Sequence, residues 1–276
     1  MKHVLRSLAA LLLLTSATGM SPAWGRPPAG DYNGDGTSDL AVFRPTDANW
    51  RIRNLSSVYF GTSSDLPVPE DYDGDGTWDL AFYRYENHLW KIREITQIYF
   101  ADNGDRVFSA DYDGDGCADP AFFRASGMWK IRGITSFYFG MSGDRPVLGD
   151  FTGDGGADPA FFRSSGGLWK IRNQSRFYFG GSGDYPIPGD YDGDGTDEAA
   201  FVRFQGLWKA RHLTAFYFGS GYSSEYPVTA DFDGDHTCDF GYFRSSNGFW
   251  KIRDKGSAYF GKSNDVQITN AYLRFF

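Results

Sequence analysis

Cysteine is nearly missing from this chain. Only Cys117 and Cys238 occur among 276 residues, so no disulfide framework can hold the fold. Histidine is scarce as well, and beyond His3 only His88, His212 and His236 remain, far apart along the chain. No Gly-x-Ser-x-Gly or His-Glu-x-x-His run occurs, which leaves serine-hydrolase and zincin chemistry without a motif. No catalytic residue is assigned, and an enzyme is not expected. A sustained helical period is missing after the first two dozen residues. Long apolar runs are missing too, apart from Leu8 to Leu14, which is too short to span a bilayer. Lys2 and Arg6 precede that run and Ser16, Ala17, Gly19 and Ala23 follow it. This is the pattern of a secretory signal, with cleavage expected near Ala23. Residues 1–23 are therefore read as a signal peptide, the mature protein as exported, and membrane insertion as excluded. Positive charge is in short supply, with 27 Lys and Arg against 35 Asp and Glu and a net charge of −8. Nucleic acid is not an expected partner, and the protein is expected to be a monomer.

What the chain does contain is one acidic nine-residue loop, written six times. The copies open at Asp31, Asp71, Asp111, Asp150, Asp190 and Asp231, at steps of about 40 residues. A period of that length marks a repeat architecture, in which one unit cannot bury its own apolar face. Oxygen-bearing side chains fall at loop positions 1, 3, 5 and 9, the offsets that wrap a backbone around a hard cation such as calcium. The candidate ligands, including the position-7 residue for its backbone carbonyl, are as follows. The first loop offers Asp31, Asn33, Asp35, Thr37 and Asp39, and the second Asp71, Asp73, Asp75, Thr77 and Asp79. The third offers Asp111, Asp113, Asp115, Cys117 and Asp119, and the fourth Asp150, Thr152, Asp154, Gly156 and Asp158. The fifth offers Asp190, Asp192, Asp194, Thr196 and Glu198, and the sixth Asp231, Asp233, Asp235, Thr237 and Asp239. An EF-hand closes with Glu at position 12. Here position 12 is Val42, Phe82, Phe122, Phe161, Phe201 or Tyr242, so position 9 must supply the closing carboxylate. Up to six Ca²⁺ ions are expected. Near-equivalence of the sites points to a structural role rather than a catalytic one. Their charge would turn an acidic chain into a nearly neutral one, so the acidity is local to the loops.

Between loops the chain reads as short strands. In the second unit, Pro67-Val68-Pro69 leads into the loop. Leu80 to Arg84, Leu89 to Arg93 and Gln97 to Phe100 follow, each aromatic or β-branched and bounded by Gly, Asn, Asp or Ser. Four strands per unit and six units predict an all-β, six-bladed β-propeller over residues 26–276. After the sixth unit, Asp265 to Tyr272 matches a first strand with no loop behind it, whereas Pro27 to Gly30 makes a poor one. The C-terminal strand is therefore expected to return to the first blade and close the ring.

The Phe-Gly step, the following Asp-x-Pro-Val and the Asp-Tyr-Asp-Gly-Asp-Gly loop resemble the FG-GAP or VCBS-type repeats. These are found in secreted bacterial proteins, fungal propeller lectins and integrin α-subunits. The resemblance covers nearly all of the chain from Arg26. It implies calcium loops that join the first two strands of each blade.

Three other features invite a functional reading. The third strands carry paired cations, Lys91 and Arg93 in the second unit, which a solvated or salt-bridged rim explains better than a glycan belt. Trp50, Trp90, Trp129, Trp169, Trp208 and Trp250, with the Tyr-Phe pairs of the fourth strands, are assigned to the core between blades. Trp78, inside the second loop, is singled out as a surface-contact candidate. Taken together, the sequence supports an exported calcium-stabilised binding module for a glycan or protein at a cell surface or in the extracellular matrix. A polysaccharide lyase or hydrolase, or a structural envelope module, is the alternative.

Overall fold

Alternating Gly- and Asp-rich turns with short aromatic runs force the chain into four-residue strands, too short to stand alone and long enough to stack radially. The computed structural model describes residues 28–220 and 225–270. The signal segment, its cleavage site and Tyr272 lie outside the described residues.

Among the described residues, twenty-four strands form six four-stranded antiparallel sheets, and these blades close into a six-bladed β-propeller. The second blade is representative. It comprises β4 (Leu66–Pro67), β5 (Ala81–Arg84), β6 (Leu89–Ile92) and β7 (Thr96–Tyr99), in that order across the sheet. Its acidic loop joins the first two strands. The first blade takes its first strand from the other end of the chain: β24 (Val266–Gln267) pairs with β1 (Ala41–Arg44), Val42 opposite Gln267 and Phe43 opposite Val266. The expected C-terminal closure is thus present, and it is the C-terminal strand that takes the innermost place.

Closure is reinforced by a cycle of backbone hydrogen bonds. The N–H at loop position 8 donates to the position-1 carbonyl of the preceding loop. Trp78 donates to Asp31, Ala118 to Asp71, Ala157 to Asp111, Asp197 to Asp150, and Cys238 to Asp190, all at 2.6–2.8 Å. Ser38 donates to Asp231 at 2.6 Å and completes the circle. The six loops therefore form one collar on one end of the ring. Cys117 and Cys238 stand in the third and sixth loops of this collar, and neither forms a disulfide.

The opposite end of each blade carries an ion pair. The Arg that ends the second strand grips the acid that opens the first strand. Arg84 holds Asp65 through Nε and an Nη at 2.7 and 2.8 Å, and Arg44 holds Asp265 at 2.8 Å through both contacts across 221 residues. Arg124–Asp105, Arg163–Asp144, Arg203–Asp184 and Arg244–Glu225 repeat the pairing. These acids are buried, 0–5% exposed. Each also accepts a backbone N–H from the turn before it, as Asp65 does from Thr62 at 2.7 Å. A buried carboxylate that is paired bidentately and hydrogen-bonded has its charge compensated in place.

The core lies in the blades and their seams. The six third-strand Trp side chains are at most 2% exposed. Five of them donate Nε1–H to the carbonyl of the fourth-strand Phe at 2.8–2.9 Å. Trp90 is the exception, and its Nε1 has no partner among the described residues. Its blade is also the one where Ala101, with φ 81°, replaces the glycine after Phe. The third-strand cations bridge seams rather than forming a free belt. Lys130, Lys170 and Lys209 lie over Phe100, Phe139 and Phe179 of the preceding blade, and Arg51 lies over Phe260 across the closure.

Candidate metal centres

Each loop is shaped by its own carboxylates. The position-1 Asp accepts N–H bonds from positions 4 and 6, as Asp71 does from Gly74 at 2.7 Å and Gly76 at 2.9 Å. The position-5 Asp accepts from the position-7 N–H and, where present, the Thr hydroxyl, as in Asp75 with Thr77 at 2.8 and 2.6 Å. The position-9 carboxylate folds back onto the position-2 N–H: Asp79 onto Tyr72 at 2.9 Å, Glu198 onto Tyr191 at 2.9 Å. Position 9 thus ties the end of the loop back to its start. The glycines at position 6 adopt φ between 83° and 92°, a region open to glycine and costly for other residues.

The result is a concentration of anionic oxygen. Carboxylate oxygens of Asp71, Asp73 and Asp79 all lie within 4.8 Å of one another. So do those of Asp111, Asp113 and Asp115, of Asp190, Asp192 and Asp194, and of Asp231, Asp233 and Asp239. Oxygens that share one calcium at about 2.3–2.6 Å can be no more than about 5 Å apart. The second, third and fifth loops therefore fit the ion in donor type and spacing. The first and fourth loops substitute neutral oxygen at position 3. The Asn33 amide donates weakly to Asp39 at 3.3 Å, and the Thr152 hydroxyl donates to Asp158 at 3.1 Å.

Electrostatics follow from this crowding. Burial pushes the carboxyls of Asp39, Asp79 and Asp119 up to about 6, with further elevation from the neighbouring Asp charges. Burial likewise raises Glu198 to about 7. Half-buried carboxylates beside like charges favour the proton or another cation.

The sixth loop is built differently. His236 occupies the glycine position with φ 67°. The Lys255 ammonium enters from the turn between β22 (Phe249–Ile252) and β23 (Gly256–Tyr259). It contacts Asp233 and lies 2.8 Å from Asp239 and 3.6 Å from Asp235. Burial opposes the Lys255 charge, but its hydrogen bonds to Asp233 and Asp239 outweigh that and raise its pKa. A groove of about 380 Å³ opens beside it at the seam with the first blade, walled by Asp39, Arg53 and Asn54. Ser38 also lines it, and its buried hydroxyl has no partner among the described residues.

Comparison with known proteins places the architecture. No family model matches the chain, and no curated protein matches it in sequence. Solved structures do match in shape. One is an Agrocybe aegerita lectin described as recognising non-reducing terminal N-acetylglucosamine. It has 15% identity and a TM-score of 0.53, over 85% of this chain and 76% of that one. Another is BBS1N in complex with ARL6DN, with 9% identity and a TM-score of 0.50, over 86% and 83%. At such identities the likeness is one of fold.

Two assignments change with the structure in hand, the surface placement of Trp78 and the core placement of the fourth-strand tyrosines. Trp78 is 5% exposed and packs edge-on against Tyr32 of the first loop at 6.0 Å, so it seals the collar. The Tyr-Phe pairs split. The Phe rings pack inward, with Phe60 against Phe82 at 4.9 Å and Phe139 against Phe161 at 5.0 Å. Tyr59, Tyr99, Tyr138, Tyr178, Tyr217 and Tyr259 point out and are 69–78% exposed. Adjacent residues on a strand face opposite ways, and that rule alone would have separated them. Each blade thus presents an outward phenol on its outermost strand, at the end that carries the Arg–acid pair.

Proposed function

We propose that this chain is an exported, calcium-stabilised β-propeller that recognises a glycan at a cell surface or in the extracellular matrix. The observation that carries the reading is the set of six exposed tyrosines, one per blade. Tyrosine is enriched at interfaces, where its ring is covered and its hydroxyl stays wet. A ring face near a partly exposed guanidinium supplies an apolar platform and hydrogen-bond donors of the kind a sugar needs. Sixfold repetition suits a ligand that is itself repetitive, since weak contacts add through effective concentration. The lectin among the fold neighbours is compatible with this, and so is the protein-bound BBS1N propeller. Calcium would be held by the loop carboxylates, Asp71, Asp73, Asp75 and Asp79 in the second blade, where it neutralises their repulsion and fixes the collar.

A glycan array probed with the full exported chain, with and without chelator, tests the proposal. A saccharide hit that weakens at least tenfold when Tyr138 and Tyr178 are both changed to Ala supports it. Turnover of a polysaccharide would favour an enzyme instead. Silence across the array would favour a protein partner.

A further inference from the structure

The turn between the third and fourth strands lies at the loop end of every blade. Its third residue is Leu55, Ile95, Ile134, Gln174, Leu213 and Lys255 in blade order. Four are apolar and 39–47% exposed. Gln174 offers a neutral amide, 3.5 Å from Asp158. Only Lys255 brings a charge, and it brings it among the carboxylates of Asp233, Asp235 and Asp239.

We infer that the Lys255 ammonium is the resident cation of the sixth loop, which locks this loop without a metal ion and excludes calcium from it. The inference takes its contrast from the calcium reading of the other loops. Its physical basis is occupancy. Calcium would need the Asp231, Asp233 and Asp239 oxygens at about 2.3–2.6 Å, and Nζ already sits at hydrogen-bonding distance from two of these residues. A monovalent and a divalent cation about 3 Å apart repel strongly in a half-buried site. The lysine is tethered by the chain, so it is present at high effective concentration and chelators cannot remove it. A second feature of the same loop agrees. His236 stands at position 6 with φ 67°, where the other five loops keep glycine. A loop that need not shape itself around an ion has less use for that glycine.

Native mass spectrometry and calcium titration of the full chain, wild type against Lys255→Leu, decide the matter. Leu is the residue at the matching turns, Leu55 and Leu213. The variant should bind one more calcium ion than wild type. Without calcium it should melt below wild type, because its sixth loop is left uncompensated. Saturating calcium should then raise its melting temperature by roughly 5–10 °C more than it raises that of wild type. Lys255→Gln, which copies the fourth blade's Gln174, serves if the leucine variant folds poorly, and the same increment is expected. Equal stoichiometry in wild type and variant overturns the inference while leaving the calcium reading intact. If neither protein binds calcium, the calcium reading fails, and melting alone judges Lys255. In that case a Lys255→Leu protein as stable as wild type overturns the inference too.

Discussion

Each blade carries carboxylates at both ends, and the two ends treat them in opposite ways. At one end Asp65, Asp105, Asp144, Asp184, Glu225 and Asp265 are buried almost completely, yet each has its own guanidinium and a backbone donor. At the other end three or four carboxylates crowd at positions 1, 3, 5 and 9 of a nine-residue loop. In five of the six loops the carboxylates at positions 1, 3, 5 and 9 have no lysine or arginine within ion-pair distance among the described residues. Depth of burial is therefore a poor guide to electrostatic demand. The acids at the first end are compensated within the chain, whereas the loop acids crowd against like charges, which on the proposed reading a bound cation would offset. The sixth loop, with Lys255, shows the chain applying the first solution at the second kind of site.

Removing metal should expose this difference most strongly. A site held at about one hundred times its dissociation constant contributes roughly 2.7 kcal/mol. In a domain of this size each kcal/mol moves the melting temperature by about 2–4 °C. Two such sites alone predict a fall of roughly 10–20 °C on thorough chelation, read by differential scanning calorimetry. The chelated protein should also lose stability as pH rises. Asp39, Asp79 and Asp119 titrate near 6 when folded, against an ordinary value of 3.8. The folded state then holds more protons than the unfolded state between those values. Its stabilisation is full below 3.8 and is lost as pH rises through 6. The loaded protein should respond in the opposite sense, because protons compete with the ion for the same oxygens. An unchanged melting curve under chelator would mean that the loops tolerate their own repulsion.

The next largest effect belongs to the compensated end. Changing Arg84 to Met leaves Asp65 buried beside no cation, a loss of about 3–5 kcal/mol. Denaturant unfolding should show the same loss with and without calcium. A loss that calcium largely restores would indicate that the two ends of a blade are coupled, and the contrast drawn between them would fail.

How much of this could be read beforehand depends on range. The repeat length, the four strands and the closing strand all follow from local spacing, because strand period and repeat offsets are properties of consecutive residues. The Arg–acid pair was half visible. Its partners recur 19 residues apart in five blades, but only antiparallel pairing of the first two strands turns that offset into contact. Burial of Trp78 needs a second blade, since its cover is Tyr32. Lys255 needs the third dimension outright: a turn in one hairpin reaches a loop more than fifteen residues earlier, and nothing in the spacing of either announces the other.

The smallest expected effect lies at the compensated end of the second blade. Gly61, Gly140, Gly180, Gly219 and Gly261 follow the fourth-strand Phe with φ between 73° and 112°. A Cβ built on Gly180 would fall 2.8 Å from the Asp184 carboxylate that Arg203 holds. In the second blade Ala101 accepts that conformation at φ 81°, and Trp90 in the same blade lacks the Nε1 hydrogen bond that its five counterparts make. Ala101→Gly should relieve the left-handed strain and let the Phe100 carbonyl turn to meet Trp90. The unfolded chain gains entropy from the added glycine, which offsets part of the benefit. With a hydrogen bond contributing about 1 kcal/mol, the net gain should be about 0.5–1 kcal/mol, or roughly 1–4 °C in melting temperature. Tryptophan indole N–H resonances provide the sharper readout. One indole proton should slow its exchange with solvent in the variant, and the rest should not move. A variant that melts lower, with no change in indole exchange, would show that Ala101 is accommodated without strain and that the orphaned Trp90 has another cause.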